Sequence, residues 1–146
     1  MRTRPPAHDH KVVCIDFDGT IAPWAPLMDV GAPYPGVVEA ILALYDAGYH
    51  IVILTSRMSS TWWEHEAKKR KVTPESFGAF QEMYVRRYLD RYGIPYERLT
   101  AEKVAAQVYF DDRAWRVAPG ELADDLTILL NDGRMDAGTW EETGRE

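Results

Sequence analysis

The chain has 146 residues, with 17 Lys and Arg against 23 Asp and Glu and a formal net charge of −6. That length suits one domain, and the acidic balance argues against general binding to nucleic acid or anionic membrane, which needs a clustered basic face. At 46% hydrophobic and 27% charged residues the chain can bury an ordinary core, which excludes wholesale disorder.

The single cysteine, Cys14, excludes an intrachain disulfide and a multi-cysteine zinc site. A reducing, cytoplasmic setting is expected. Residues 1–10 carry Arg2, Arg4, Pro5 and Pro6 without an apolar stretch, so they read as a flexible segment and not as a signal peptide. No apolar run approaches the roughly 18 residues of a bilayer crossing. The domain is expected over 11–133, followed by a frayed tail at 134–146.

Val12, Val13, Cys14 and Ile15 form a short apolar run ending at Asp16-Phe17-Asp18-Gly19, which predicts a buried strand entering a tight turn. A proline-rich loop follows. Val37, Val38, Ile41, Leu42 and Tyr45 then recur at helical spacing, with Tyr34-Pro35-Gly36 as the start and Gly48 as the stop. Ile51 to Leu54 predict a second buried strand, closed by Thr55, Ser56 and Arg57. Thr61 and Glu64 have capping-box spacing for a helix from Trp62 to about Lys71, and Ser59 or Ser60 is a competing cap.

Another helix is expected from Phe77 to Tyr92, stopped by Gly93 and Pro95. Short strands follow at Arg98–Thr100 and Val108–Phe110, and a further one at Ala114–Val117. Pro119 suits the first turn of a last helix, where Leu122, Leu126, Leu129 and Leu130 share an apolar face before Gly133. Strands alternating with helices predict an α/β, three-layer, Rossmann-like sandwich on a mostly parallel sheet. In such sheets ligands bind beyond the carboxyl ends of the strands, so Asp16, Asp18, Thr55, Ser56, Asp111 and Asp112 should meet on one rim.

On an extended segment Asp16 and Asp18 point to one side while Phe17 turns into the core. The N–H groups around Gly19 and Thr20 suit either an anion-binding nest or a solvated Asx-type turn. Thr55, Ser56 and Arg57 supply hydroxyls and a cation that suit a phosphate oxygen or a helix cap. Lys103, eight positions before Asp111, can return to the same rim or lie on the surface. Asp111 and Asp112 are adjacent acids that repel unless a cation intervenes. The hard oxygen ligands of Asp16, Asp18, Asp111 and Asp112 suit Mg²⁺.

In this order the residues resemble the haloacid dehalogenase superfamily, specifically its aspartate-nucleophile phosphatases. Asp16-Phe17-Asp18-Gly19-Thr20 is similar to the first motif, Thr55-Ser56 to the second, Lys103 to the third and Asp111-Asp112 to the fourth, over Val12 to Val117. The resemblance implies that Asp16 attacks phosphorus to form an aspartyl-phosphate. It makes Asp18 the group that protonates the leaving oxygen and then deprotonates water. The Asp16 and Asp111 carboxylates and the Asp18 backbone carbonyl would hold Mg²⁺, with Asp112 orienting a coordinated water. Thr55 and Lys103 would neutralise the phosphoryl oxygens. Retention of the second acid, Asp18, favours phosphoryl transfer over dehalogenation.

Family members often carry a cap domain after the first or second motif. Neither Ile21–His50 nor Met58–Glu102 has room for one, so an open, capless site is expected, suited to a bulky phosphoester or to closure by a second subunit as a homodimer. Trp24 is a candidate wall for the leaving group or a packing residue, and the same holds for Trp62 and Trp63. Cys14 reads as an inert core thiol, and His8, His10, His50 and His65 lack ligand spacing. The expected activity is a Mg²⁺-dependent phosphomonoesterase on a phosphorylated substrate, away from membranes. A polynucleotide 3′-end or nucleotide phosphatase is a close rival, because Asp111-Asp112-Arg113 resembles the run in polynucleotide-end phosphatase domains. A signalling receiver domain is disfavoured by motif order. A silent phospho-ligand binder would have no need of Asp18 as a proton donor.

Overall fold

The computed structural model describes residues 11–25, 27–114 and 116–132. Strands β1 (Val12–Ile15), β2 (His50–Leu54), β3 (Arg98–Thr100) and β4 (Val108–Phe110) and helices α1 (Val37–Asp46), α2 (Ser60–Arg70), α3 (Pro74–Arg91) and α4 (Leu122–Asp132) follow in the order β1-α1-β2-α2-α3-β3-β4-α4. All pairings are parallel, in the order β3-β2-β1-β4. This is the expected Rossmann-like α/β architecture. Among the described residues there is one sheet, and no helix is long and apolar enough to cross a membrane.

Both faces of the central strands are buried, which explains their unbroken apolar runs. Val13 and Ile15 of β1 and Ile51 and Ile53 of β2 face a core completed by Ile41 of α1 and by Val85, Tyr88 and Leu89 of α3. Cys14 and Val52, also buried, point the other way. Burial raises the Cys14 thiol pKa, consistent with an inert core residue.

Gly36 and Gly48 flank α1 with φ of 82° and 91°, as its start and stop require. Elsewhere the boundaries moved. A 3-10 turn at Ser56–Met58 lets α2 begin at Ser60, so Thr61 lies inside the helix and the Thr61–Glu64 capping box does not form. Helix α3 starts three residues earlier than expected, because the Thr73 hydroxyl accepts from the Ser76 N–H at 3.1 Å and Pro74 opens the first turn.

Two expectations fail near the carboxyl end. Ala114, Arg116 and Val117 are not in a strand, and Pro119 precedes α4, in a turn with Gly120 at φ 86°. The apolar stripe of α4 is exposed at Leu122, Leu126 and Leu130, with Leu129 half-buried. The expected segments 1–10 and 134–146, and the Gly133 stop, lie outside the described residues, as do His8, His10 and Trp115.

Candidate active site

The strand order reverses at β1, whose neighbours β2 and β4 are reached by connections running in opposite directions. Such a switch point opens a crevice beyond the strand ends. Ile15 pairs with Ile53 and with Phe110, and the ladder continues as the Asp16 N–H donates to the Phe110 carbonyl at 2.8 Å. Asp16 and Asp111 are therefore level on adjacent strands.

The cleft here, about 960 Å³, is lined by Asp16, Asp18, Thr55, Ser56, Lys103, Asp111 and Asp112 among others. One residue or more from each of the four sequence motifs is thus present. Carboxylate oxygens of Asp16, Asp111 and Asp112 lie within 4.8 Å of one another. Burial foremost, then the charge of Asp111 and the contact with Asp112, pushes the Asp16 pKa up to about 8. Burial also raises that of Asp112.

The Asp112 Oδ1 atom is buried and has no hydrogen-bond partner among the described residues. An orphaned carboxylate oxygen beside two further acids fits a hard divalent cation such as Mg²⁺. The Asp18 side chain is not part of this cluster.

Thr55 is buried, and its hydroxyl accepts from the Arg57 N–H at 3.2 Å, capping the 3-10 turn. Lys103 places Nζ 5.5 Å from the Tyr109 ring centroid, on the cleft wall. The Asp111 side chain accepts from the Arg113 N–H at 2.8 Å.

Three expected substrate contacts take other roles. The Gly19 N–H donates to the Ala22 carbonyl at 2.7 Å and the Thr20 N–H to the Phe17 carbonyl at 3.4 Å, so of the two readings open for this segment, nest or turn, these bonds form the turn. The Thr20 hydroxyl donates to Asp16 Oδ2 at 3.3 Å. Arg57, expected on phosphate, is 4% exposed and donates to both Asp18 oxygens, at 2.8 and 2.9 Å. Desolvation explains the change: a guanidinium carried into the interior takes the nearest carboxylate that can accept two parallel N–H groups.

Sequence reasoning missed other groups. The backbone N–H groups of Phe17 and Asp18 follow Asp16 directly, and among the described residues neither is found donating to another group. Arg116, Gln107 and Tyr109 also line the cleft, but nothing in their local sequence marks them. Trp24 stands on the cleft wall. Trp62 and Trp63 pack instead: Trp62 meets Phe77 edge-on at 5.1 Å, and Trp63 donates to the Arg57 carbonyl at 2.7 Å.

No family model and no curated protein matches the chain. Among solved structures it is similar to a conserved protein from Bacteroides thetaiotaomicron, at 17% identity and TM-score 0.50, over 88% of this chain and 95% of the other. It is also similar to a protein from Vibrio cholerae, at 24% identity and TM-score 0.44, over 85% and 99%. The first likeness supports the α/β fold.

Proposed function

We propose that the chain is a Mg²⁺-dependent phosphomonoesterase of the haloacid dehalogenase type, working in a reducing, cytoplasmic setting. The observation that carries this reading is the meeting of Asp16, Asp111 and Asp112 within 4.8 Å, in a cleft also lined by Thr55 and Lys103. Asp16, Asp111 and Asp112 would hold Mg²⁺, whose charge offsets theirs and admits a phosphate dianion.

Asp16 Oδ attacks phosphorus as the ester P–O bond breaks, forming an aspartyl-phosphate; water then attacks phosphorus and releases phosphate with Asp16 restored. Lys103, on the cleft wall, and the N–H groups of Phe17 and Asp18, which follow Asp16 directly, would donate to the phosphoryl oxygens. Asp18 serves as acid toward the leaving oxygen and base toward water. It accepts one hydrogen bond from Arg57 on each oxygen, which leaves a second acceptor site on each for the proton exchanged with the leaving oxygen or with water.

Asp16→Asn tests the reading. The variant should fold and lose turnover of any phosphomonoester in Mg²⁺; normal hydrolysis would show that another residue is the nucleophile.

A second reading concerns the substrate. Lys103, Arg113 and Arg116 share the cleft with the rings of Trp24 and Tyr109, a basic and aromatic lining that favours a nucleotide or a polynucleotide 3′ end over a small sugar phosphate. A panel of 3′-phosphorylated oligonucleotides, nucleotides and sugar phosphates separates these, and indifference to both nucleic-acid substrates excludes this version.

A further inference from the structure

Every nitrogen of the Arg57 guanidinium is engaged. Nε and Nη2 donate to the two Asp18 oxygens, Nη2 also to the Ala25 carbonyl at 2.7 Å, and Nη1 to the Leu27 carbonyl and to Gln81 Oε1 at 3.1 Å. Ala25 and Leu27 belong to the loop after β1, which carries Trp24 onto the cleft wall. Helix α3 ties the same loop down: the Tyr84 hydroxyl donates to the Met28 carbonyl at 2.6 Å, and the Tyr88 hydroxyl to the Gly31 carbonyl at 2.5 Å.

This arrangement carries costs that packing alone does not explain. Leu27 sits at φ 52°, a left-handed conformation unfavourable for a non-glycine residue. The Gln81 amide turns its oxygen to Arg57 and leaves Nε2 buried without a partner among the described residues. A buried ion pair is itself a weak source of stability compared with apolar packing of the same volume. What a guanidinium supplies here, and a hydrophobic side chain cannot, is direction: a planar fork that fixes one carboxylate and two backbone carbonyls at once.

We propose that Arg57 is a positioning residue that sets, through one guanidinium, both the orientation of the Asp18 carboxylate at the cleft edge and the place of the Trp24 wall. The proposal rests on the phosphatase reading for what the two positioned groups do in turnover, namely handling the leaving group. Lysine is no substitute, since a single ammonium does not bond both Asp18 oxygens and both loop carbonyls in this geometry.

The test compares wild type, Arg57→Lys, Asp18→Asn and the double variant on an alkyl phosphate and on an aryl phosphate with a good leaving group, in Mg²⁺, alongside hydrogen exchange of residues 23–31. For Arg57→Lys, kcat on the alkyl phosphate should fall by at least about a hundredfold and on the aryl phosphate by less than about tenfold. Exchange in 23–31 should accelerate, and on the alkyl phosphate the double variant should lose well under the product of the two single losses. Equal losses on both substrates, additive effects, or unchanged exchange would overturn the proposal. If Arg57→Lys does not fold, Arg57→Met, which removes the charge while keeping apolar bulk, takes its place with the same expected outcomes. Should wild type hydrolyse neither phosphate, the phosphatase reading fails, and exchange in 23–31 alone decides whether Arg57 holds the loop.

Discussion

Gly19 lies against the Asp112 carboxylate so closely that a Cβ built on it would stand 2.3 Å from Oδ2 and 2.8 Å from Cγ. Its φ of 80° is also one that side-chain-bearing residues rarely adopt. The turn after β1 and the acid pair after β4 are therefore in direct contact. Gly19→Ala should push Asp112 out of the acid cluster and cost about 1–2 kcal/mol of stability from the backbone conformation. Calorimetric titration with Mg²⁺ checks the first effect, and denaturant unfolding the second. Unchanged Mg²⁺ affinity would show that Asp112 is dispensable to the site.

The raised Asp16 pKa gives a second prediction. A folded-state value above the unfolded one means that the folded protein holds a proton the unfolded chain has released, between about pH 4 and about 8. This contribution to stability is present at low pH and is lost as pH rises through that range. In chelator, Tm should therefore fall with rising pH, and saturating Mg²⁺ should flatten the decline by taking the proton's place. Asp16→Asn should flatten it without metal. A Tm profile with and without Mg²⁺ measures all three.

Lys103 reaches the cleft wall over Tyr109 and stands at the third motif. Lys103→Met keeps the apolar stem and removes the charge. It should lower kcat/KM for a phosphomonoester by on the order of a hundredfold while leaving Tm within a few degrees. Steady-state kinetics beside a thermal scan provide the check.

The packing of α2 on α3 yields a structural prediction. A Cβ at Gly78 would meet the Trp63 ring at 2.5 Å, and that ring also donates to the Arg57 carbonyl. Gly78→Ala should force the helices apart and destabilise the fold by about 1–3 kcal/mol, read by urea denaturation.

Much of the site was legible because three of the four motifs sit where an apolar strand ends. Asp16, Thr55 and Asp111 need only a parallel sheet to converge, and the runs Val12–Ile15, His50–Leu54 and Val108–Phe110 are apolar enough to mark that sheet. Helix starts were less legible: Thr61 has capping-box spacing, but the 3-10 turn at Ser56–Met58 lets α2 begin at Ser60 and leaves Thr61 inside the helix. The exposed stripe of α4 shows the limit of periodicity, which reports an apolar face and not the surface that would cover it.

The sequence by itself determined the strand-and-helix alternation, the order of the motifs and the residue types brought to the rim, because period, composition and turn chemistry are local properties. Tertiary structure alone decided where Arg57 points and that Asp18 stands apart from the Asp16, Asp111 and Asp112 cluster. Those outcomes depend on which groups lose water together. Arg57 and Asp18 are 39 residues apart in the chain, and the partner that compensates a buried charge is chosen by proximity in the folded interior.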